Sequence, residues 1–322
     1  MPWLTPVVFK QGPEEPLTRL PCFDDGPNDV RFRHIVHIYR DRATPENTAV
    51  QSITLDTIRQ ARRFCAPRLA VSPVMVTFAD DADLVPADMG KAPHLTRQIG
   101  DAVRFQSPRL LPLLFDVIGN GFAADVWLGE TANSVEYVVL TNSDIHLQPA
   151  FYSTLATLIR QGYDVISVNR RTIDAEPGDR VFSPLFMAEP GKDHPGFDCF
   201  VFPASMIGQF VINDACCGAG GVMRSLLFNL VAASKRFLML TRPNMTFHLG
   251  DDVPWANPKY LDYQLFNYNQ ALMTLAKLVQ NPDTATRLEA FINIHEDEDY
   301  RIGLANILQQ ARWFRTPDDA ES

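Results

Sequence analysis

"VEYVVLTNSD", residues 135–144, is an apolar run that ends in an amide, a hydroxyl and a carboxylate. Such a run predicts a strand that is buried on both faces, as strands of parallel sheets are. Its polar end lies where the strand would leave the sheet. Two interpretations of Asn142 and Asp144 are open at this point. The pair forms a turn that caps the helix beginning near Pro149, or it belongs to a metal and phosphate site.

The flanking segments predict an α/β fold with a mostly parallel central sheet. Further strands are predicted at 33–40, 74–81, 163–171, 198–203 and 236–240. Apolar residues at helical spacing predict helices at 44–65, 109–119 and 149–161 between these strands, one at 261–279 after them and two more within 283–313. The alternation of strands and helices is typical of a sheet that helices cover on both faces. Residues 1–30 show little periodicity and are predicted to be an irregular lead-in.

Composition excludes some classes of function. The 322 residues carry 38 acids and 29 bases, a net charge of −9, without a long basic run, so nucleic acid is not an expected partner. The amino terminus resembles no signal peptide, and no apolar stretch is long enough for a transmembrane helix. The five cysteines form no CxxC pair, which indicates a reducing, cytoplasmic location without structural zinc.

Three predicted strands end in polar clusters. The clusters are Tyr39-Arg40-Asp41, Asp80-Asp81 and Asn142-Ser143-Asp144. Ligands of parallel sheets bind beyond the carboxyl ends of the strands, so these clusters indicate a binding site.

Downstream, "TFHLGDDVPW" at 246–255 adds a histidine to this pattern. Together, the imidazole of His248 and the carboxylate of Asp144 suit Mn²⁺ better than Mg²⁺. Gly250 permits close approach of the backbone to a ligand. The alternative for His248 is a hydrogen-bonded histidine of the core.

On these residues the chain resembles the GT-A fold glycosyltransferases, which use nucleotide-diphospho-sugars. "VVLTNSDIHLQPAFY" occupies the place of their D-x-D strand, and "HLGDDVPW" is similar to the H-x5-K-P-W segment of the branch with retaining galactosyltransferases and glycogenin. The resemblance implies a three-layer, Rossmann-like catalytic domain at 31–255. Residues 31–171 would bind the nucleotide-sugar, 172–255 the acceptor, and the helices of 256–322 would pack on this domain.

The resemblance also implies a donor site. Tyr39 and Arg40 would contact the nucleobase or ribose, and Asp80 or Asp81 would accept hydrogen bonds from the base. Asn142, Asp144 and His248 would hold a metal that bridges two phosphates. The sequence departs from the family at Asn142, which replaces the first acid, and at Val253, where a lysine for the diphosphate is expected. Arg170 and Arg171 are the candidates for that missing cation, or else a pair of surface residues.

Three further acids are candidates for catalysis. Asp198 would bind donor hydroxyls or cap a strand, and Asp214 and Asp251 are candidate general bases, Asp251 having a loop face or a helix cap as its alternative. The loop "NDACCGAGG" (213–221) is a candidate contact for the acceptor or for an anion, and it lacks the acidic E-D pair of many inverting enzymes, which favours a retaining reaction.

The sequence therefore predicts a metal-dependent glycosyltransferase that acts in glycan biosynthesis on a glycan, lipid-linked or small-molecule acceptor. One alternative is a non-catalytic or degenerate nucleotide-sugar-binding protein, which Asn142 keeps open. Another is a sugar nucleotidyltransferase, although "YRDRATPEN" (39–47) lacks the glycine-rich phosphate loop that such enzymes need. A metal phosphoesterase would need more clustered histidine and aspartate ligands than this sequence offers.

Overall fold

The computed structural model describes residues 6–8, 30–40, 46–66, 68–92, 100–101, 105, 107–119, 135–175, 184–194, 196–250, 257–295 and 298–313. The strands are β1 (Pro6–Val8), β2 (Val30–His37), β3 (Ala70–Val76), β4 (Gly90–Lys91), β5 (Gly100–Asp101), β6 (Ser107–Pro108), β7 (Val135–Thr141), β8 (His146–Leu147), β9 (Val165–Val168), β10 (Arg171–Ile173), β11 (Lys192–Asp193), β12 (Cys199–Pro203), β13 (Phe237–Leu240) and β14 (Thr246–Leu249). The α-helices are α1 (Glu46–Cys65), α2 (Leu110–Gly119), α3 (Phe151–Arg160), α4 (Val222–Ala233), α5 (Leu261–Leu278), α6 (Pro282–His295) and α7 (Glu298–Trp313).

The main sheet has eight strands in the order β1-β13-β9-β12-β7-β2-β3-β4. Strands β2, β3, β4, β7, β9 and β13 run in one direction, and β12 and β1 run against them. The central strands are almost wholly buried, as their apolar sequences predict. The predicted α/β class with a mostly parallel central sheet is confirmed.

A second, four-stranded sheet has the order β11-β10-β14-β8. Two of its strands, β8 and β10, follow directly after β7 and β9 of the main sheet in the chain. The predicted strand at 163–171 is therefore wrong as one element, because β9 ends at Val168 and β10 begins at Arg171 in the other sheet. Between them, the chain leaves one sheet and enters the next.

The predicted strand at 74–81 is also displaced. Strand β3 begins at Ala70 and ends at Val76, and Asp80 and Asp81 belong to the 3-10 helix Ala79–Leu84. Asp80 and Asp81 therefore follow the strand, as predicted, but they lie in a short 3-10 helix.

The chain forms two compact units by its internal contacts. The first comprises Met1–Thr96, Val117–Ile207 and Lys235–Asp252, and the second comprises Arg97–Asp116, Gly208–Ser234 and Val253–Ser322. Both units use segments that are far apart in sequence. The linear boundaries at residues 31, 172 and 256 stay a prediction.

The first unit contains the eight-stranded sheet, and helices α1 and α3 pack together on its strands. Phe32, Val139 and Val201 of the sheet share one buried cluster with Ile58 of α1 and Tyr152 of α3. Helix α3 ends as predicted: Gly162 adopts φ 94° and its N–H donates to the carbonyl of Ile159 at 2.8 Å.

The second unit is mainly helical. Helix α4 packs on α5 and α6, and α7 packs on α5 and α6. Leu227 and Leu230 of α4, Leu275 of α5 and Phe291 of α6 are fully buried. The predicted helices after residue 260 are confirmed. No helix in the described ranges is long and apolar enough to cross a membrane.

Candidate functional site

The "TNSD" segment forms a turn immediately after β7. The strand ends at Thr141, and the N–H of Ile145 donates to the carbonyl of Asn142 at 3.3 Å. The prediction that the strand continues to Asp144 is wrong, because Asn, Ser and Asp favour the turn. Asn142 and Asp144 therefore do not share a face of a strand.

The turn carries Asp144 to His248. Oδ2 of Asp144 lies 3.3 Å from Nε2 of His248. The contact depends on the second sheet, in which β8 follows the turn and pairs with β14, so that His146 is opposite Phe247. The His248 side chain is 7% exposed and that of Asp144 is 41% exposed, so the pair is reached from the Asp144 side.

The imidazole of His248 is oriented by the backbone. Its Nδ1 lies 2.8 Å from the carbonyl oxygen of Gly250, which only accepts, so Nδ1–H is the donor. The other ring nitrogen, Nε2, faces the Asp144 carboxylate. Metal-bound histidines commonly donate their other N–H to a carbonyl in this way. Gly250 adopts φ 85°, a conformation that glycine accepts at little cost.

The pair fits a divalent ion. Two ligands about 2.1 Å from one ion and at a right angle to each other lie about 3 Å apart. Oδ1 of Asp144 is buried, and within the described part of the chain it accepts no hydrogen bond. No group of three or more His, Cys, Asp or Glu side chains suited to a metal is found among the described residues. The protein would therefore supply two ligands and leave other positions to water or ligand oxygens.

The charges around Asp144 keep it ionised. Burial alone would raise the pKa of its carboxyl, but the hydrogen bond and charge of His248 outweigh this effect. With the charge of Arg170, they hold the pKa of Asp144 well below its usual range.

His146 is a neighbour of the pair that the sequence analysis missed. Burial lowers its pKa to about 3, and the charge of His248 acts in the same direction, so the imidazole is neutral at pH 7. Its Nδ1 lies 3.0 Å from Oγ1 of Thr54. Nε2 is buried and has no hydrogen-bond partner in the described ranges. In the sequence, the position of His146 two residues after Asp144 could have identified it as a candidate site residue.

A second cluster surrounds Asp198. Oδ1 of Asp198 accepts a hydrogen bond from Nδ2 of Asn142 at 3.2 Å and lies 3.4 Å from Nη1 of Arg170. Nε2 of His194 is 3.8 Å from Oδ2 of Asp198. Strand β12 runs against both β7 and β9, with Cys199 opposite Thr141 and Val168. This register brings the start of β12 to the ends of the other two strands.

The two adjacent arginines have different partners. Arg171 donates from Nε to the carbonyl of Pro190 and from Nη2 to that of Gly191, both at 2.6 Å, and it pairs with Asp193. These contacts tie β10 to β11. Arg170 instead lies beside Asp198, and its positive charge acts on Asp144.

The residues predicted for the nucleobase lie at the ends of β2 and β3. Strands β2 and β3 are parallel neighbours, with His37 opposite Val76. The ring of Tyr39 stacks on His37 with centroids 5.5 Å apart. Nη2 of Arg40 pairs with Asp83 at 2.6 Å, a partner that the sequence analysis did not identify. Asp80 is exposed and Asp81 half-buried on the following 3-10 helix.

Two further candidates are Asp214 and Asp251. Asp214 belongs to the second unit, where it pairs with Arg109 at 2.7 Å and is 57% exposed. Asn267 of α5 fixes the loop that carries Asp214: its Oδ1 accepts from the N–H of Cys216, and its Nδ2 donates to Cys216 and to neighbouring carbonyls. Asp251 and Val253 lie outside the described residues.

No protein-family model matches the chain, and no curated protein matches it. Among solved structures, residues 1–349 of S. aureus TarS in complex with UDP-GlcNAc are 9% identical with a TM-score of 0.48, over 87% of this chain and 80% of that one. A Mycobacterium tuberculosis protein in complex with manganese is 12% identical with a TM-score of 0.35, over 75% and 98%. A 4-diphosphocytidyl-2C-methyl-D-erythritol synthase from Anaerococcus prevotii is 10% identical with a TM-score of 0.31, over 75% and 98%.

Proposed function

We propose that this chain is a metal-dependent glycosyltransferase that moves a sugar from a nucleoside-diphosphate donor to a glycan, lipid-linked or small-molecule acceptor, with retention favoured. The observation that carries the proposal is the Asp144–His248 pair, whose ligating atoms lie 3.3 Å apart after the carboxyl end of β7. Carboxylate with imidazole favours Mn²⁺ over Mg²⁺.

The candidate site residues of the first unit then have separate roles. Asp144 and His248 hold the ion, and Gly250 orients the imidazole. An ion held by these two residues would neutralise the charge that develops on the nucleoside-diphosphate leaving group. Asp198 is proposed to bind hydroxyls of the donor sugar, since its Oδ2 is buried and accepts no hydrogen bond in the described part of the chain.

The nucleotide half of the donor is proposed to bind at the ends of β2 and β3. Tyr39 offers an aromatic ring and Arg40 a cation for the base or ribose, and Asp80 and Asp81 offer acceptors for the base. Asp214 and Asp251 stay candidate general bases. The support for this part is the position of these side chains at the carboxyl end of parallel strands, where ligands of such sheets bind.

Nucleotide binding is tested by thermal unfolding with UDP, GDP and CDP, each with and without Mn²⁺. A ligand that binds only the folded protein stabilises it by about 2.7 kcal/mol at a hundred times its dissociation constant. We expect one nucleotide to raise the melting temperature more with Mn²⁺ than without it. The absence of any shift with all nucleotide and metal pairs would count against the proposal.

Turnover is tested by slow hydrolysis of the matching nucleotide-sugar in the absence of acceptor. We expect Asp144→Asn to abolish the Mn²⁺-dependent hydrolysis, because the ion loses its carboxylate ligand. Asp88→Asn is the matched control: its carboxylate is 57% exposed and pairs with Arg59 on the surface. Equal loss in both variants would contradict the assignment of Asp144.

A non-catalytic nucleotide-sugar-binding protein is the second candidate. The observation that favours it is the amide of Asn142, which is engaged with Asp198 where the resemblance predicts a second carboxylate near the metal. A metal-dependent thermal shift with UDP, GDP or CDP, without hydrolysis or transfer from any of their sugar conjugates, would support this candidate.

A further inference from the structure

We propose that Arg170 forms a binding site for a phosphate or diphosphate group that works without a metal ion. The inference rests on the proposed function, because the diphosphate of a nucleotide-sugar is the anion that the site would take there. In this proposal two tasks are separate. Arg170 binds the anion, and the Asp144–His248 pair would hold the metal ion for the transfer step.

The first observation is the burial of Arg170 with few partners. The residue is 7% exposed, and in the described part of the chain its Nε is buried without a hydrogen bond. A guanidinium has five N–H donors, and removing its charge from water is unfavourable unless those donors are paired. The buried cation therefore lacks partners that an anion would provide.

The second observation is the loose contact with Asp198. Nη1 of Arg170 lies 3.4 Å from Oδ1 of Asp198, whereas charge-assisted N–H···O bonds are about 2.7–2.9 Å long. The same oxygen also accepts the hydrogen bond from Asn142, so Arg170 does not hold it alone. Asp198 therefore holds Arg170 in position, while the Arg170 guanidinium can still donate two parallel hydrogen bonds to a phosphate.

The third observation is the amide at position 142. A carboxylate there would add a negative charge beside Asp198 and weaken the attraction of Arg170 for an anion. Asn142 is neutral and donates to Asp198, which reduces the negative charge that an incoming phosphate meets. The departure from the D-x-D pattern thus favours an anion that arrives without a metal.

The neighbouring arginine does not fit this role. Arg171 uses Nε and Nη2 for the carbonyls of Pro190 and Gly191, and it pairs with Asp193. Because its donors are engaged, its charge fixes β10 to β11. Arg171 therefore provides a matched control for Arg170.

The test is calorimetric titration of the full chain with inorganic pyrophosphate in EDTA. We expect saturable binding by the wild type and a loss of roughly ten- to a hundredfold in affinity in Arg170→Gln, the range of one or two charge-assisted hydrogen bonds. Arg171→Gln should bind within about threefold of the wild type. Asp144→Asn should bind as tightly or more tightly, because without metal this carboxylate repels the anion.

Arg170→Gln leaves Asp198 buried without its cation, so we expect this variant to lose stability. Its melting temperature is therefore measured alongside binding, and two variants replace it if it does not fold. Arg170→Lys keeps the charge and should bind with intermediate affinity, and Arg170→Gln with Asp198→Asn removes both charges and should not bind.

The outcomes separate the two proposals. No binding of pyrophosphate to the wild type in EDTA, or equal binding by the wild type and the variants without the cation, overturns the role of Arg170. Binding that Asp144→Asn abolishes also overturns it, since the anion would then depend on Asp144. Pyrophosphate binding in EDTA without any nucleotide-induced thermal shift keeps the role of Arg170 and contradicts the proposed function.

Discussion

Nδ2 of Asn142 donates a hydrogen bond to Oδ1 of Asp198, with 3.2 Å between the two atoms. The bond joins the residue after β7 to the residue before β12, two strands that run in opposite directions. It explains why an amide suits position 142. An amide donates to the Asp198 carboxylate, whereas an ionised carboxylate there would only accept and would repel it.

The Asn142→Asp substitution tests this relationship. The new carboxylate would lie beside Asp198, whose side chain is 10% exposed, so we expect a loss of about 1–3 kcal/mol in the free energy of unfolding. Urea unfolding at pH 7 measures the change. Asn142→Ala is the control, since it removes the bond without adding charge and should lose less. A more stable Asn142→Asp protein in metal-free buffer would show that the amide is not needed there.

A buried histidine makes stability depend on pH. His34 is fully buried between Oγ1 of Thr141 at 2.9 Å and the hydroxyl of Tyr152 at 2.7 Å, and burial lowers its pKa to about 3. The unfolded chain has the ordinary value of about 6.5 and binds the proton first. The stability that neutral His34 contributes is therefore present above pH 6.5 and is lost as the pH decreases toward 3, by at most about 1.4 kcal/mol per pH unit for this one group.

The measurement for His34 is urea unfolding from pH 7.5 to pH 4.5. His34→Gln should lose stability at pH 7.5 but show a smaller dependence on pH than the wild type. Asp56→Asn, a substitution of a half-exposed surface acid, should leave the dependence in this range nearly unchanged. Identical slopes for the wild type and His34→Gln would exclude His34 as the titrating group.

Asn267 is expected to stabilise the second unit through the loop at 213–221. Its amide pairs with both backbone groups of Cys216 and with the carbonyls of Ala219 and Gly220. Asn267→Ala would leave these buried groups unpaired and should reduce the free energy of unfolding by about 2–4 kcal/mol.

Calorimetric unfolding of Asn267→Ala and Asn267→Asp checks this prediction. The aspartate still accepts from the N–H of Cys216 but no longer donates to the carbonyls, so it should also be destabilised. Gln270→Ala, which removes one acceptor for the N–H of Asp214, is the milder comparison. Wild-type stability in Asn267→Ala would mean that the loop is held by other contacts.

Gly250 is expected to couple backbone conformation to metal affinity. It adopts φ 85°, and its carbonyl accepts from Nδ1 of His248. Gly250→Ala would be strained by about 1–2 kcal/mol and would displace that carbonyl, so Mn²⁺ affinity should fall by about tenfold to a hundredfold. Mn²⁺ titration followed by electron paramagnetic resonance measures the affinity. Gly119→Ala, where an added Cβ meets no atom within 4 Å, should bind Mn²⁺ like the wild type.

Much of the fold follows from local patterns. The burial of β2 and β7, the helices α1 to α3 and the helices after residue 260 agree with apolar spacing that the sequence displays. One of the errors occurs where the chain changes sheet. Nothing local distinguishes Val168, the end of β9, from Arg171, the start of β10, because both lie in extended backbone.

The sequence by itself determined the buried strand β7 and the polar residues Asn142–Asp144 at its end, since a long apolar run is stable as a strand only when it is buried. It also indicated His248, but as one of two interpretations. Only the tertiary structure decided that Asp144 and His248 meet and that Arg170, rather than Arg171, lies beside Asp198. The physical reason is the pairing of β8 with β14 and of β12 with β7 and β9, which depends on strands far apart in sequence.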